Sequence, residues 1–426
     1  MRGGFGITVG RNWTVDNIGA TGAGQGPMAA PPNFQAPTIL YTSFASLAGA
    51  QPYFTPQNVL GGPQDQETQT TYNWSLGVQH ELARGMVLDV SYVANALRHG
   101  YGQAIDYNAV APLTTWTPAT GAVARFRDPT STGFYSTNLV RAMVGVAGYG
   151  SIPLWTYIGT NSYNSLQVQL NRRAGRLQWN ANYTFSRTII YNFNQWTDSQ
   201  LGKNITNRPH AVNFDFGYDV PGASQVWRNA FTKQVLDGWH VSGGGAIYSG
   251  TPYSIGCGFT NQPAGYWTGT PTGGVPFRCQ MGTDVYLPSG QYPSKTEDPR
   301  LQVPYNAANF TLPGIGSLGI GNTPPSLTYG PGVFNLDLAL AKQFKIAESK
   351  SLEFRIETFN AFNHLNPGNP NTTLTYNVAN AIDGSGRIDM SRVTQANQTN
   401  SSFGVIGGPA SGTGSRRAIL SARFRF

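Results

Sequence analysis

Apolar and polar residues alternate along this chain with a period of two, and segment after segment keeps its apolar side chains on one parity. Tyr72, Trp74, Leu76 and Val78 alternate with Asn73, Ser75 and Gln79, and Met86, Leu88, Val90 and Tyr92 alternate with Asp89 and Ser91. A short turn at 81–85 joins the two. Leu166, Val168 and Leu170 stand against Gln167, Gln169 and Asn171. Beyond a turn at 172–176, Leu177, Trp179, Ala181, Tyr183 and Phe185 stand against Gln178, Asn180, Asn182, Thr184 and Ser186. Period two puts alternate side chains on opposite faces of a strand, so each pair of segments predicts a hairpin. Further strands are predicted at 212–220, in the Gly-rich 239–247, at 334–343 and at 352–357, with a weaker one at 3–11. The chain closes on 416–426, where Ala418, Leu420, Ala422, Phe424 and Phe426 share one face and Ser421, Arg423 and Arg425 the other. Taken alone, that last segment suits either a lipid-facing barrel strand or the edge of a soluble sheet.

The remainder of the chain separates the two. About ten strands of about ten residues are expected, the length that crosses a bilayer when tilted. Connections from the first strand onward run about 60 residues, short, long, short, about 22, medium, about 84, short and long. Nearly every second connection is therefore tight, and all long ones fall at one end. A soluble sandwich has no reason to sort its loops by length, whereas outer-membrane barrels pair short periplasmic turns with long extracellular loops. The expected fold is all-β: an antiparallel transmembrane β-barrel wall. Tyr72, Trp74, Tyr92, Trp239, Tyr248, Phe334 and Phe426, near strand ends, are candidates for the aromatic girdles at the two interfaces.

Composition supports this reading. Only 11% of the 426 residues are charged, far below the roughly 25% of ordinary soluble domains. There is no uninterrupted apolar run of about eighteen residues, which argues against helical spans. The mean hydropathy of -0.27 fits strands in which only every second residue need be apolar. The net charge of +8 comes from scattered Arg and Lys without a basic run, so no nucleic-acid partner is expected. The N-terminus shows neither a basic leader nor an apolar core with a cleavage site. From this the chain is expected to start inside a longer protein.

Catalytic chemistry leaves no signature. His80, His99, His210, His240 and His364 occur singly, without His-Glu-x-x-His spacing, and no Cys-x-x-Cys appears, so no metal site, cofactor or enzymatic activity is expected. Residues 316–321 loosely resemble a dinucleotide loop but lie in a Pro-rich stretch without a strand-turn-helix frame. Glu353 and Glu357 flank Arg355 at two-residue spacing, which reads as a ladder of charge on one strand face. Gln167, Gln169, Gln178, Asn180, Asn182, Asp337, Glu353, Arg355 and Glu357 are the candidate lumen-facing residues. Both cysteines, Cys257 and Cys279, sit in the longest connection, and a count of two in an exported setting predicts a disulfide.

Several phrases together resemble a known family. They are Tyr163-Asn-Ser-Leu-Gln-Val-Gln-Leu-Asn-Arg-Arg, Trp179-Asn-Ala-Asn-Tyr-Thr-Phe-Ser-Arg, Asn207-Arg-Pro-His210, Asp237-Gly-Trp-His-Val-Ser-Gly running to Ser249-Gly-Thr-Pro252, and Arg355-Ile-Glu-Thr-Phe-Asn-Ala-Phe-Asn-His364. In order, and with the terminal Phe426, the chain from about Thr68 onward is similar to the C-terminal barrel of Oar-like TonB-dependent receptors. The resemblance implies a barrel of about 22 strands around a plug, often preceded by a carboxypeptidase-regulatory-like β-sandwich. It also implies energy delivered by the TonB complex through a TonB box on the plug.

On this resemblance, residues 1–426 are the C-terminal part of an outer-membrane β-barrel domain, with plug and signal peptide absent. The location implied is the outer membrane of a Gram-negative-type bacterium. The partners implied are outer-membrane lipid, the barrel-assembly machinery reading Phe424 and Phe426, TonB, and a ligand the sequence does not name. The function expected is energised uptake of that ligand. A passive porin-like channel and a secreted β-rich adhesin or carbohydrate-binding protein are the alternatives.

Overall fold

The computed structural model describes residues 1–10, 67–100, 103–108, 152–191, 203–222, 234–260, 278–283, 307–312, 321–346, 350–381, 390–398, 403–404, 406, 408–410 and 414–426. Ten long strands dominate: β1 (Arg2–Val9), β2 (Thr70–Ala83), β3 (Met86–Gly100), β4 (Gly159–Arg172), β5 (Leu177–Tyr191), β6 (His210–Asp219), β7 (Trp239–Tyr248), β8 (Val333–Lys345), β9 (Ser351–Phe359) and β10 (Arg417–Arg425). Each pairs with its sequence neighbours, giving an unbroken antiparallel meander. A short strand, Lys203–Ile205, adds to the far end of β5. These are the ten strands the alternation predicts, although β2 to β5 run to 14 or 15 residues.

The registers align the parities. Directly opposed residues of an antiparallel pair share a face, and Leu76, Tyr92, Leu166 and Phe185 form one continuous row across four strands. Farther along, Ile247 meets Phe334, Leu340 meets Ile356, and Ile356 meets Leu420. Leu76, Leu166, Phe185, Leu340, Ile356 and Leu420 are nonetheless solvent-exposed. A continuous apolar face of this extent far exceeds the patches of a soluble monomer and needs hydrocarbon against it. Every carboxylate of the described long strands lies on the opposite face: Glu81, Asp89, Asp215, Asp219, Asp337, Glu353 and Glu357. Strand ends are also staggered. Tyr191 ends β5 well past Phe185, which meets His210 at the start of β6, the shear that lets tilted strands curve into a barrel wall.

Tight turns gather at one end of the sheet. Gly85 (φ 72°), Gly175 (φ 85°) and Gly238 (φ 74°) occupy left-handed positions there, a conformation open to glycine at little steric cost. Neighbouring turns also lean on each other, since the Arg173 N–H donates to the Gly85 carbonyl at 2.9 Å. β7 owes its glycines to close packing. A Cβ on Gly245 would sit 2.5 Å from Phe214 Cζ, and one on Gly243 would sit 2.9 Å from Phe216 Cε1. The two β6 rings therefore lie across β7 where side chains would otherwise stand.

One aromatic departs from the girdle expected of it. Tyr248 lies on the polar face, opposite Ala211 and Val333, and donates to Asn213 Oδ1 at 2.5 Å. It follows Ile247, so the strict alternation of β7 turns it inward. Residues 316–320 of the glycine-rich stretch lie outside the described residues.

Gly245→Val should displace Phe214 and cost about 1–3 kcal/mol, read as a lower temperature at which the compact, heat-modifiable gel band is lost. Ala181→Arg, mid-strand on the apolar face of β5, should cost about 2–4 kcal/mol by the same measure. Asn182→Arg, one residue on, should stay within about 0.5 kcal/mol.

Candidate functional site

The polar face and the long-loop end of the sheet form two connected regions. On the polar face, Gln169 Nε2 donates to Asn180 Oδ1 at 3.2 Å, and Asn180 Nδ2 donates to Asp215 Oδ1 at 3.1 Å. This ladder spans β4 to β6. Nearby, Gln167 donates to Ser165 Oγ at 3.3 Å, and Ser165 donates to the Val93 carbonyl at 2.9 Å. Asn182 faces Gln169 and Gln178 faces Gly217. At the other side of the wall, Arg355 Nε lies 2.7 Å from Glu357 Oε1, an ion pair whose N–H is not aimed along the contact. Arg425 lies 3.6 Å from Glu353.

All nine candidate lumen residues thus share the polar face, but in separate groups. Asp337 has a structural task. Its Oδ1 accepts from Asn335 at 3.0 Å and from the Asn360 backbone N–H at 2.8 Å. Asn360, in the left-handed region at φ 50°, also donates to the carbonyls of His364 and Gly414. The Phe-Asn-Ala-Phe-Asn-His phrase is accordingly the joint that carries the chain off β9 and ties it to the approach to β10. Asn207 plays the matching part between β5 and β6, accepting from the Thr188 N–H at 2.6 Å and donating to the Ser186 carbonyl at 2.7 Å.

The second region is a cap. Among the described residues, the apolar core cluster lies outside the wall, built from the β7–β8 and β9–β10 connections: Ile255, Cys257, Cys279, Phe310, Leu374, Tyr376 and Val378, with Leu312 and Ala381. The wall has oil on one side and polar groups on the other, so it leaves no interior to fill. Strand Gly256–Thr260 of one connection pairs in parallel with Thr373–Asn377 of the other. Cys257 and Cys279 are disulfide-bonded within this core.

Tyr376 is buried and its hydroxyl donates to the Phe310 carbonyl while accepting from Gln398 Nε2, which also reaches the Ala307 carbonyl. Burial raises the phenol's pKa, with the Gln398 hydrogen bond pulling the other way. Its neutral form is favoured in the folded cap, so that contribution is present below the ordinary phenol range and is lost as the pH rises through the folded pKa. Asn366 fastens the cap to the wall by accepting from the Phe334 N–H at 2.7 Å and donating to its carbonyl at 2.9 Å.

Sequence reasoning placed these connections as surface loops and missed their shared core. The available signal was Thr373-Leu-Thr-Tyr-Asn-Val378, which alternates as regularly as a wall strand. Among the described residues no group of three or more His, Cys, Asp or Glu could hold a metal ion.

The model of the family described as "Outer membrane beta barrel domain" matches residues 1–419. No curated protein matches the chain. Among solved structures, the outer membrane transporter YddB from Escherichia coli is similar at 8% identity and TM-score 0.37, covering 88% of this chain and 35% of its own. The siderophore receptor PirA from Acinetobacter baumannii is similar at 13% identity and TM-score 0.35, covering 87% and 33%. The ferric-catecholate import receptor Fiu from E. coli gives 10%, 0.35, 84% and 28%. The chain spans about a third of the length of these proteins.

Replacing Cys257 and Cys279 together by serine removes a cross-link between positions 22 residues apart, a constraint worth about 3 kcal/mol. Hydrogen exchange should accelerate in residues 253–260 and 373–381, while amides of β2 to β5 keep their protection.

Proposed function

The chain belongs to the outer membrane β-barrel domain family, and from that premise we propose that it supplies wall and outer cap to a TonB-dependent receptor that imports a ligand by energised uptake. The observation that carries this reading is a polar, hydrogen-bonded wall face joined at its long-loop end to a cap with its own apolar core. A ladder such as Gln169–Asn180–Asp215 offers amide and carboxylate groups in fixed positions, suited to holding a hydrated solute or a plug surface without trapping it. Charged groups on the same face, Glu353, Arg355 and Glu357, are tolerated because water and paired partners meet them there. The cap, packed and cross-linked, is suited to capturing a specific ligand, since a pre-ordered surface loses less conformational freedom on binding.

A polar lumen alone also suits a passive channel. The packed cap at the long-loop end favours the receptor reading, because a diffusion pore has no need of an ordered, cross-linked cap there.

The test is uptake by intact cells, with and without this protein, of a panel of labelled solutes too large for general porins. Protein-dependent entry of at least one solute should stop when a protonophore collapses the proton-motive force. Entry that continues at an unchanged rate would make the protein a passive channel.

A further inference from the structure

Charge is spread unevenly along the polar face. On β9 and β10 that face carries Glu353, Arg355, Glu357, Arg417, Arg423 and Arg425. On β4 to β7 it carries no Lys or Arg, and its only carboxylates and imidazole are Asp215, Asp219 and His240. Asp219 and His240 face each other at 2.8 Å near the short turns, which leaves Asp215 as the one mid-wall charge of the sector. Arg208, just outside β6 at the long-loop end, lies over the Tyr248 ring at 5.6 Å.

Amides fill this sector. The registers set Gln169, Asn182 and Asn213 side by side in one row, and Asn171, Asn180 and Asp215 in the next. Neighbouring strands lie about 4.8 Å apart and the rows, two residues apart, about 6.8 Å, so a solute the size of a sugar ring meets side chains of two strands at once. A primary amide offers two N–H donors and two acceptor lone pairs. Within the Gln169–Asn180–Asp215 chain each amide uses one donor, and the side chains of Asn171, Gln178 and Asn182 make no hydrogen bond among the described residues. Hydroxyl groups both donate and accept, and can take up this capacity in either sense. A carboxylate or phosphate only accepts, and here it would stand beside Asp215 with no Lys or Arg on the same strands to meet it. Tyr163 and Tyr248 share the same face and supply rings against which the C–H side of a sugar can lie.

We propose that the inward face of β4 to β6 recognises a neutral, polyhydroxylated solute of the oligosaccharide class, which names, resting on the uptake reading, the kind of substrate carried. Gln169, Asn180, Asn182 and Asp215 exchange hydrogen bonds with its hydroxyls, and the missing counter-cations turn anionic solutes away.

The protein extracted from outer membranes into lauryldimethylamine oxide, a detergent without a sugar headgroup, provides the test by equilibrium dialysis. The probes are labelled neutral hexasaccharides of glucose, galactose and mannose, with hexagalacturonate as the anionic and hexaglucosamine as the cationic counterpart. At least one neutral hexasaccharide should bind about tenfold more tightly than hexagalacturonate, and Asn180→Leu/Asn182→Leu should weaken it about tenfold. Asn180→Gln/Asn182→Gln, which keeps both amides, should retain most of the binding, and Arg423→Gln on β10 should match the wild type. Asn182→Arg should reduce the preference over hexagalacturonate about tenfold, a change of selectivity that a folding defect does not produce. Absence of neutral binding, equal binding of hexagalacturonate, tighter binding of hexaglucosamine than of every neutral probe, or undiminished binding by the leucine variant overturns the proposal. Energised entry of charged solutes alone into intact cells would overturn it while leaving the uptake reading in place. Oligosaccharide binding with entry that ignores a protonophore would do the reverse.

Discussion

The structure rests on the demand that a polypeptide backbone inside hydrocarbon satisfy every N–H and C=O from within the protein. The meander from β1 to β10 meets that demand between its two edge strands by nearest-neighbour pairing, each strand bonding to the next in sequence. From it follow the antiparallel order, the tilt implied by the staggered strand ends, and the need for left-handed glycines at the tight turns. A single slip of register would exchange the faces of a whole strand. On β9 such a slip would carry Glu353, Arg355 and Glu357 into lipid.

A wall of this kind cannot bury apolar side chains in an interior of its own, and the molecule divides its stabilising interactions accordingly. Hydrogen bonds and lipid contact hold the strands, while tight apolar packing is moved into the cap. There the ordinary rules of a water-soluble protein apply: Phe310, Ile255 and Val378 are fully buried, a disulfide lies among them, and the Tyr376 hydroxyl has its partners. Asparagines take over where the strand ladders stop, and Asn366 joins wall to cap. Asn207, Asn360 and Asn366 each use one side-chain amide to satisfy backbone groups that lie beyond the reach of the strand ladders. A short amide that both donates and accepts suits a place where regular pairing stops.

The two faces also divide the charge. Carboxylates and their partners line the polar side, while the apolar side carries cations at its margins alone. Anionic headgroups favour that asymmetry and water does not impose it, since a face meeting only bulk solvent has no reason to exclude one sign.

The strands are legible in the sequence because a residue's face in a β-strand is a property of its position in the chain: Leu166, Val168 and Leu170 declare one side and Gln167 and Gln169 the other, whatever lies beside them. Loop sorting was legible for the same reason, since connection length is counted along the chain. The cap was not legible. Leu374 and Phe310 are partners only because two connections that leave different strands fold back on each other, and such contacts across long separations have no local signature. Tyr248, placed by its type among the interfacial rings, was turned inward by the count of residues along β7. Asp337, read as a lumen group, lies on the polar face and also accepts from the Asn360 backbone N–H, a pairing that its place in β8 alone does not announce. Alternation along the chain therefore determined which side of the wall each residue meets, because that is set one residue at a time. Only the tertiary structure decided which residues meet one another, because those pairings depend on where the long connections return.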